Sequence, residues 1–237
     1  QGGRLTSPGN APPRYRAELL RLMSSFVDSE LAGSAGFAAA INWAPGIRER
    51  IAASRITLEK ADHAERVLDL MEGFGTDKAL YERAHDWAAR GPREGHVDPR
   101  RQGGDMRLSV FHYPLSGWVD AVVMNVLMGS ATLHAVGELA ACSYQPLAEV
   151  LRGILPRERR HVELGLEGLE RFAGSDRETA AASVAYWMPR VAETFGPAAS
   201  DRFDRLRAMG LRHTDNETLR QRWRAETAGM LSALKLA

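Results

Sequence analysis

Apolar residues recur at three- and four-residue intervals along most of the chain, which predicts helices separated by short breaks. Leu19, Leu20, Met23, Phe26, Val27, Leu31 and Phe37 place a first long helix over 14–42. The turn Ala44-Pro45-Gly46 ends it, and a second helix runs from Ile47 to about Met71, stopping near Gly73 and Gly75. A shorter helix is expected over 76–89, a Gly- and Pro-rich loop over 91–104, and a short extended piece over 108–113 before Pro114. Residues 118–141 are apolar almost all round, the pattern of a central helix. After a brief turn at 142–145, Pro146 to Phe172 predicts another long helix, with Pro156 expected to kink it. A helix over 175–195, bent or ended at Pro189, a loop at Gly196-Pro197 and an amphipathic helix over 216–236 complete the reading.

Four of these stripes carry ionisable side chains. Glu158-x-x-His161 lies in the middle of 146–172, and residues three apart share a helix face. Four-helix carboxylate bundles hold two metal ions with such pairs from two helices and one further acid from each of two others. Alone, the tetrapeptide fits a solvated face far better than a metal site, as Arg157, Arg159 and Arg160 around it would suit. Glu30 lies on the stripe of the first helix, where an acid is costly unless it is paired, bound to a metal or at the stripe's edge in water. In the second helix Lys60 stands three residues before His63 and Glu59 four before it. Either can share a face with His63, and periodicity leaves open which one points inward. The central helix breaks its apolar run at Asp120, Asn125, Ser130, His134 and Glu138, of which Asp120 or Glu138 is the apparent fourth acid.

Composition narrows the function classes. With 31 basic against 30 acidic side chains in 237 residues, no nucleic-acid partner is indicated. Each apolar run meets a charge before about 18 residues, so no membrane span is expected. The single Cys142 excludes an internal disulfide and a cysteine zinc cage, with the cytoplasm as default location. Residues 1–13 lack the apolar core of a signal peptide and predict a disordered arm ahead of one helical domain over 14–237. There is no Gly-rich phosphate loop and no serine-nucleophile motif.

Short motifs then align in order along the chain: Ser29-Glu30-Leu31-Ala32-Gly33, Ala44-Pro45, Phe111-His112-Tyr113-Pro114, Trp118-Val119-Asp120, Cys142-Ser143-Tyr144-Gln145-Pro146, Glu158-x-x-His161, Tyr186-Trp187-Met188-Pro189, Phe195-Gly196-Pro197 and 216–222. From about Tyr15 to Glu226 the chain resembles the catalytic-subunit family of the bacterial phenylacetyl-CoA ring epoxidase, a multicomponent di-iron monooxygenase. The resemblance implies an all-α, ferritin-like four-helix bundle with additional C-terminal helices. It also implies metal ligands at Glu30, Glu158 and His161, with the second-helix Glu-x-x-His falling on Lys60 and His63 and the third-helix aspartate on Gly129. Two of the six expected ligands, both carboxylates, are thus replaced. Asp120 matches a family aspartate that is not a ligand.

An ammonium at position 60 would supply positive charge where a metal otherwise brings it. Two unit charges about 4 Å apart at an effective dielectric near 20 repel by roughly 4 kcal/mol, and a divalent ion would meet roughly twice that. This removes on the order of five to six decades of affinity. The expectation is a degenerate centre without a cofactor, Lys60 bridging Glu30 and Glu158, in a subunit with a structural, acyl-CoA-binding or partner-binding role. Two metal-bound readings stand beside it: a working oxygenase with two irons and Glu59 as substitute ligand, and a single ion on Glu30, His63, Glu158 and His161, four ligands that suit iron, zinc or manganese. As partners, the resemblance implies homo- or hetero-oligomers with epoxidase-type subunits.

Overall fold

The structure is a computed structural model that describes residues 4–97 and 103–236. Among the described residues there are eight α-helices and no strand. Four long ones form the bundle: α1 (Pro13–Ala40), α2 (Ile47–Glu72), α4 (Trp118–Leu139) and α5 (Gln145–Ser175). The short α3 (Lys78–Glu82) follows α2, and α6 (Arg177–Glu193), α7 (Asp201–Ala208) and α8 (Asn216–Ala233) come after the bundle. Helix α1 packs chiefly on α2, α4 on α5, and α2 on α5, with α6 and α8 laid against α4. The architecture is all-α and ferritin-like.

Helix α4 is the central element. Thirteen consecutive residues, Val119 to Ala131, are buried. By length and composition this helix could cross a membrane, but 78% of its most apolar window is buried inside the bundle, where its apolar surface is already used. Glycines set its distance from α5. A Cβ at Gly165 would lie 2.8 Å from Asn125 Nδ2 and 3.0 Å from Val126, and one at Gly168 would lie 3.0 Å from Val122. The later helices start with side-chain caps, Asp176 accepting from Thr179 N, Ser200 from Phe203 N and Asp215 from Thr218 N.

Several local expectations change. Residues 4–12 do not fray: Leu5 N donates to Ser143 O and Gln145 N to Leu5 O, which straps the segment onto the α4–α5 turn. Helix α3 is five residues long rather than spanning 76–89: the Glu82 carbonyl, which a further turn would use, accepts instead from Trp87 Nε1 at 2.7 Å. Arg107 binds the carbonyls of Asp86, Trp87 and Ala89, and Arg90 binds those of Trp87 and Ala89. The piece expected to be extended at 108–113 is a 3-10 turn, Ser109–His112, held to α1 by Leu108 N donating to Ser29 Oγ. Helix α5 continues through Pro156 and α6 through Pro189. The predicted loop at 91–104 has neither helix nor strand over its described part, and residues 98–102 lie outside the described residues.

Candidate functional site

Three bundle helices deliver charged side chains to one buried point. Glu30 from α1 is 3% exposed, Lys60 from α2 is 7%, and His63 from α2 with Glu158 and His161 from α5 are fully enclosed. Lys60 Nζ donates to Glu30 Oε1 at 3.0 Å and to Glu158 Oε1 at 3.4 Å. His63 Nδ1 lies 3.1 Å from Glu30 Oε2 and 2.9 Å from Glu158 Oε1. Ionised carboxylates only accept, so this nitrogen carries the proton. The His161 ring stacks on His63 with centroids 5.9 Å apart, and its Nδ1 is 3.7 Å from Glu158 Oε1. Gly33 makes room for the lysine stem: a Cβ there would meet Lys60 Cδ at 3.2 Å.

Both residues that periodicity left in competition point at the cluster. While Lys60 sits between the acids, Glu59 reaches His161 Nε2 at 2.6 Å from a position whose side chain is 24% exposed. The electrostatics reinforce this arrangement. Burial alone would lower the Lys60 pKa, but Glu158 and Glu30 hold it above the ordinary lysine range. Burial would raise Glu158, yet the Lys60 ammonium and the two imidazoles hold its carboxyl well below the usual carboxylate range. For His63, burial is likewise outweighed, here by hydrogen bonds to Glu158 and Glu30, and its pKa is raised.

Donor atoms of Glu30, His63 and Glu158 all lie within 4.8 Å of one another, a spacing one ion could span. His63 Nε2, Glu158 Oε2 and His161 Nδ1 are buried without a hydrogen-bond partner among the described residues. Against this, the ammonium occupies the space between the acids, and the His63 nitrogen that faces them bears hydrogen rather than a lone pair. The position at which the resemblance would put a third-helix acid has no room for one. A Cβ at Gly129 would stand 2.8 Å from Val162 Cγ2, inside any allowed contact, so carbon from α5 takes the volume an acid there would need. As arranged, these residues do not fit a pair of metal ions.

The other acids of α4 work elsewhere. Asp120 binds Arg93 at 2.5 Å, Ser183 Oγ at 2.6 Å and the backbone N–H of Ser116 at 2.7 Å, tying α4 to α6 and the preceding loop. Glu138 accepts from the backbone N–H groups of His213 and Thr214, and His134 pairs with Glu226.

A cavity of about 480 Å³ opens beside the cluster. Buried Ser29 and Glu30 line it together with Phe26, Phe111, Met128 and Val136, while the more exposed Arg21, Arg202 and Arg212 contribute guanidinium groups. Of these side chains only Glu30 is a site candidate by sequence. The arginines come from α1, α7 and the segment after it, and only the fold gathers them.

Residues 5–237 match the family described as phenylacetic acid catabolic protein. One of the subunits of the Escherichia coli 1,2-phenylacetyl-CoA epoxidase is 25% identical over 233 residues, covering 94% of this chain and 69% of that protein.

Proposed function

Because the chain belongs to the phenylacetic acid catabolic protein family, we propose that it is an epoxidase-type subunit that binds an aromatic acyl thioester without oxidising it, its centre held by an ion-paired cluster instead of metal. One observation carries this reading: Lys60 Nζ bonded to Glu30 and Glu158 at once. The ammonium offsets one of the two carboxylates and the His63 N–H donates to both, so much of the buried charge that would otherwise attract a cation is already met. The cavity supports the ligand class. Its apolar wall suits an aryl-acyl group, and the exposed Arg21 suits a phosphate of a nucleotide carrier left outside, while Arg202 and Arg212 pair with Glu18 and Glu138. Partner subunits of the same fold are part of the proposal, since the relative named above is one subunit of an epoxidase.

Metal analysis of protein made with ample iron tests the centre, with substoichiometric iron expected and two equivalents overturning the reading. Titration calorimetry with phenylacetyl-CoA tests the ligand. Saturable binding that weakens in Arg21→Glu is expected, and no heat from the thioester overturns the binding role.

The spacing of Glu30, His63 and Glu158 favours a second reading, a single-ion site. It requires Lys60 to leave. One equivalent of zinc or iron held by the unmodified chain, and lost in Glu158→Gln, would establish it.

A further inference from the structure

The cavity beside the cluster has a direction. On α1 it is lined by Arg21 and Leu22, then Ser25 and Phe26, then Ser29 and Glu30, two adjacent residues from each successive turn. Exposure falls along this ladder: Arg21 is exposed, Ser25 and Phe26 are half-buried, and Ser29 and Glu30 are buried. At the helical rise, the chain from Arg21 to Glu30 gives a depth of about 13 Å from mouth to floor. One turn further on, Gly33 lies against the Lys60 stem and the Phe111 ring, so the space ends at Glu30.

The floor offers an acceptor and a donor side by side. Glu30 accepts from Lys60 Nζ at Oε1 and from His63 Nδ1 at Oε2, which leaves each carboxylate oxygen a further lone pair. Ser29 Oγ accepts from Leu108 N at 3.1 Å, and its own hydrogen has no acceptor among the described residues. Around this pair the walls are largely carbon, from Phe26, Leu108, Phe111 and Met128. An unsubstituted ring pushed to the floor would set carbon against a carboxylate and an unused hydroxyl hydrogen, a mismatch that costs binding energy. A hydroxyl on the ring removes the mismatch by donating to Glu30 and accepting from Ser29.

We propose that the cavity selects an aryl-acyl thioester whose ring carries a hydroxyl remote from the thioester, with Ser29 and Glu30 as the residues that read it. The proposal rests on the acyl-thioester reading of the cavity and narrows it. Phe26 and Phe111 flank the ring, and the carrier leaves past Arg21. Because the acceptor is a carboxylate shielded from water, the hydrogen bond from the phenol is of the stronger, charge-assisted kind.

Titration calorimetry of the unmodified chain with three thioesters tests it: para-hydroxyphenylacetyl-CoA, phenylacetyl-CoA and para-fluorophenylacetyl-CoA, the last filling the same place without a donor. The hydroxylated thioester is expected to bind about tenfold or more tighter than the other two. In Ser29→Ala and in Glu30→Gln, each checked for unchanged helical circular dichroism, that preference should shrink severalfold. The ligand series on the unmodified chain decides even where a variant fails to fold. Equal binding of the three thioesters, weaker binding of the hydroxylated one, or a preference that both folded variants retain would overturn the inference and leave the acyl-thioester reading standing. If none of the three binds, that reading fails and the inference falls with it.

Discussion

The two inward faces of α5 are built on different principles. Toward α1 and α2 the helix presents Glu158 and His161, and the contacts there are ionic and directional. Toward α4 it presents Val162, Gly165 and Gly168, packed against Gly129, Asn125, Val126 and Val122 so tightly that a single methyl group has no place. Asn125 Nδ2, donating to His161 O at 2.6 Å, stitches the two together. On the first face a buried ammonium stands between two carboxylates, while on the second the volume in front of Gly129 is taken by Val162. The charge of the first face can be altered by a substitution at one position. The second requires space to be made before anything can be restored.

The largest effect should come from the ionic face. Lys60→Met keeps the bulk and removes the charge, leaving Glu30 and Glu158 buried against each other, and should cost about 3–5 kcal/mol in urea denaturation with chelator present. A loss below about 1 kcal/mol would mean that the cluster contributes little net stability. On the packed face, Gly129→Asp should cost about 1–3 kcal/mol by overpacking against Val162. Val162→Ala should relieve part of that cost, a favourable coupling of about 1 kcal/mol in a double-mutant cycle. For iron uptake, Lys60→Glu with Gly129→Asp should fail, and adding Val162→Ala should permit binding, read as metal per chain. Uptake by the double variant alone would erase the distinction between the two faces.

Smaller effects calibrate the comparison away from α5's inner surfaces. Burial alone would raise the Glu138 pKa, but hydrogen bonds from the Thr214 and His213 backbones and the nearby Arg212 bring it below its ordinary value of 4.5. A depressed carboxylate contributes stability that is present above its ordinary pKa and lost as pH falls through the folded-state value. Glu138→Gln should therefore flatten the acid limb of the melting temperature against pH below about 4.5 and lower the plateau above it. Smallest, and of opposite sign, is Gly153→Ala. Gly153 is on the outer surface of α5, and an added Cβ would meet nothing within 4 Å. It should gain about 0.4–1 kcal/mol, in contrast with a loss for Gly165→Ala.

Much of this was legible in the residues. The long stripes placed α1, α2, α4 and α5 to within a few positions, because each buries one face over five or more turns and the period repeats often enough to be read. Helix α7 was invisible for the opposite reason: Leu206 is its one buried residue, and a capped, highly charged segment with a single anchor has no period. The shortening of α3 depends on the Trp87 indole, which takes the Glu82 carbonyl that a further turn would need, a contact no periodicity encodes. At the site, spacing singled out Glu30, Lys60, His63, Glu158 and His161, while the choice between Glu59 and Lys60 turned out not to be exclusive. Nothing in the pattern could reveal Val162 as the side chain that fills the space in front of Gly129, since both are ordinary members of an apolar stripe.

The seal at Gly129 and Val162 gives the chain a direction in time. If its centre once held metal, each step back is harmful or idle by itself: an acid at position 129 has no room, a smaller residue at 162 leaves a void, and a glutamate at 60 meets two other acids with nothing between them. Selection acting on one change at a time would find no uphill path among them. With this seam closed, a two-metal centre could be built here only by changing positions 60, 129 and 162 together.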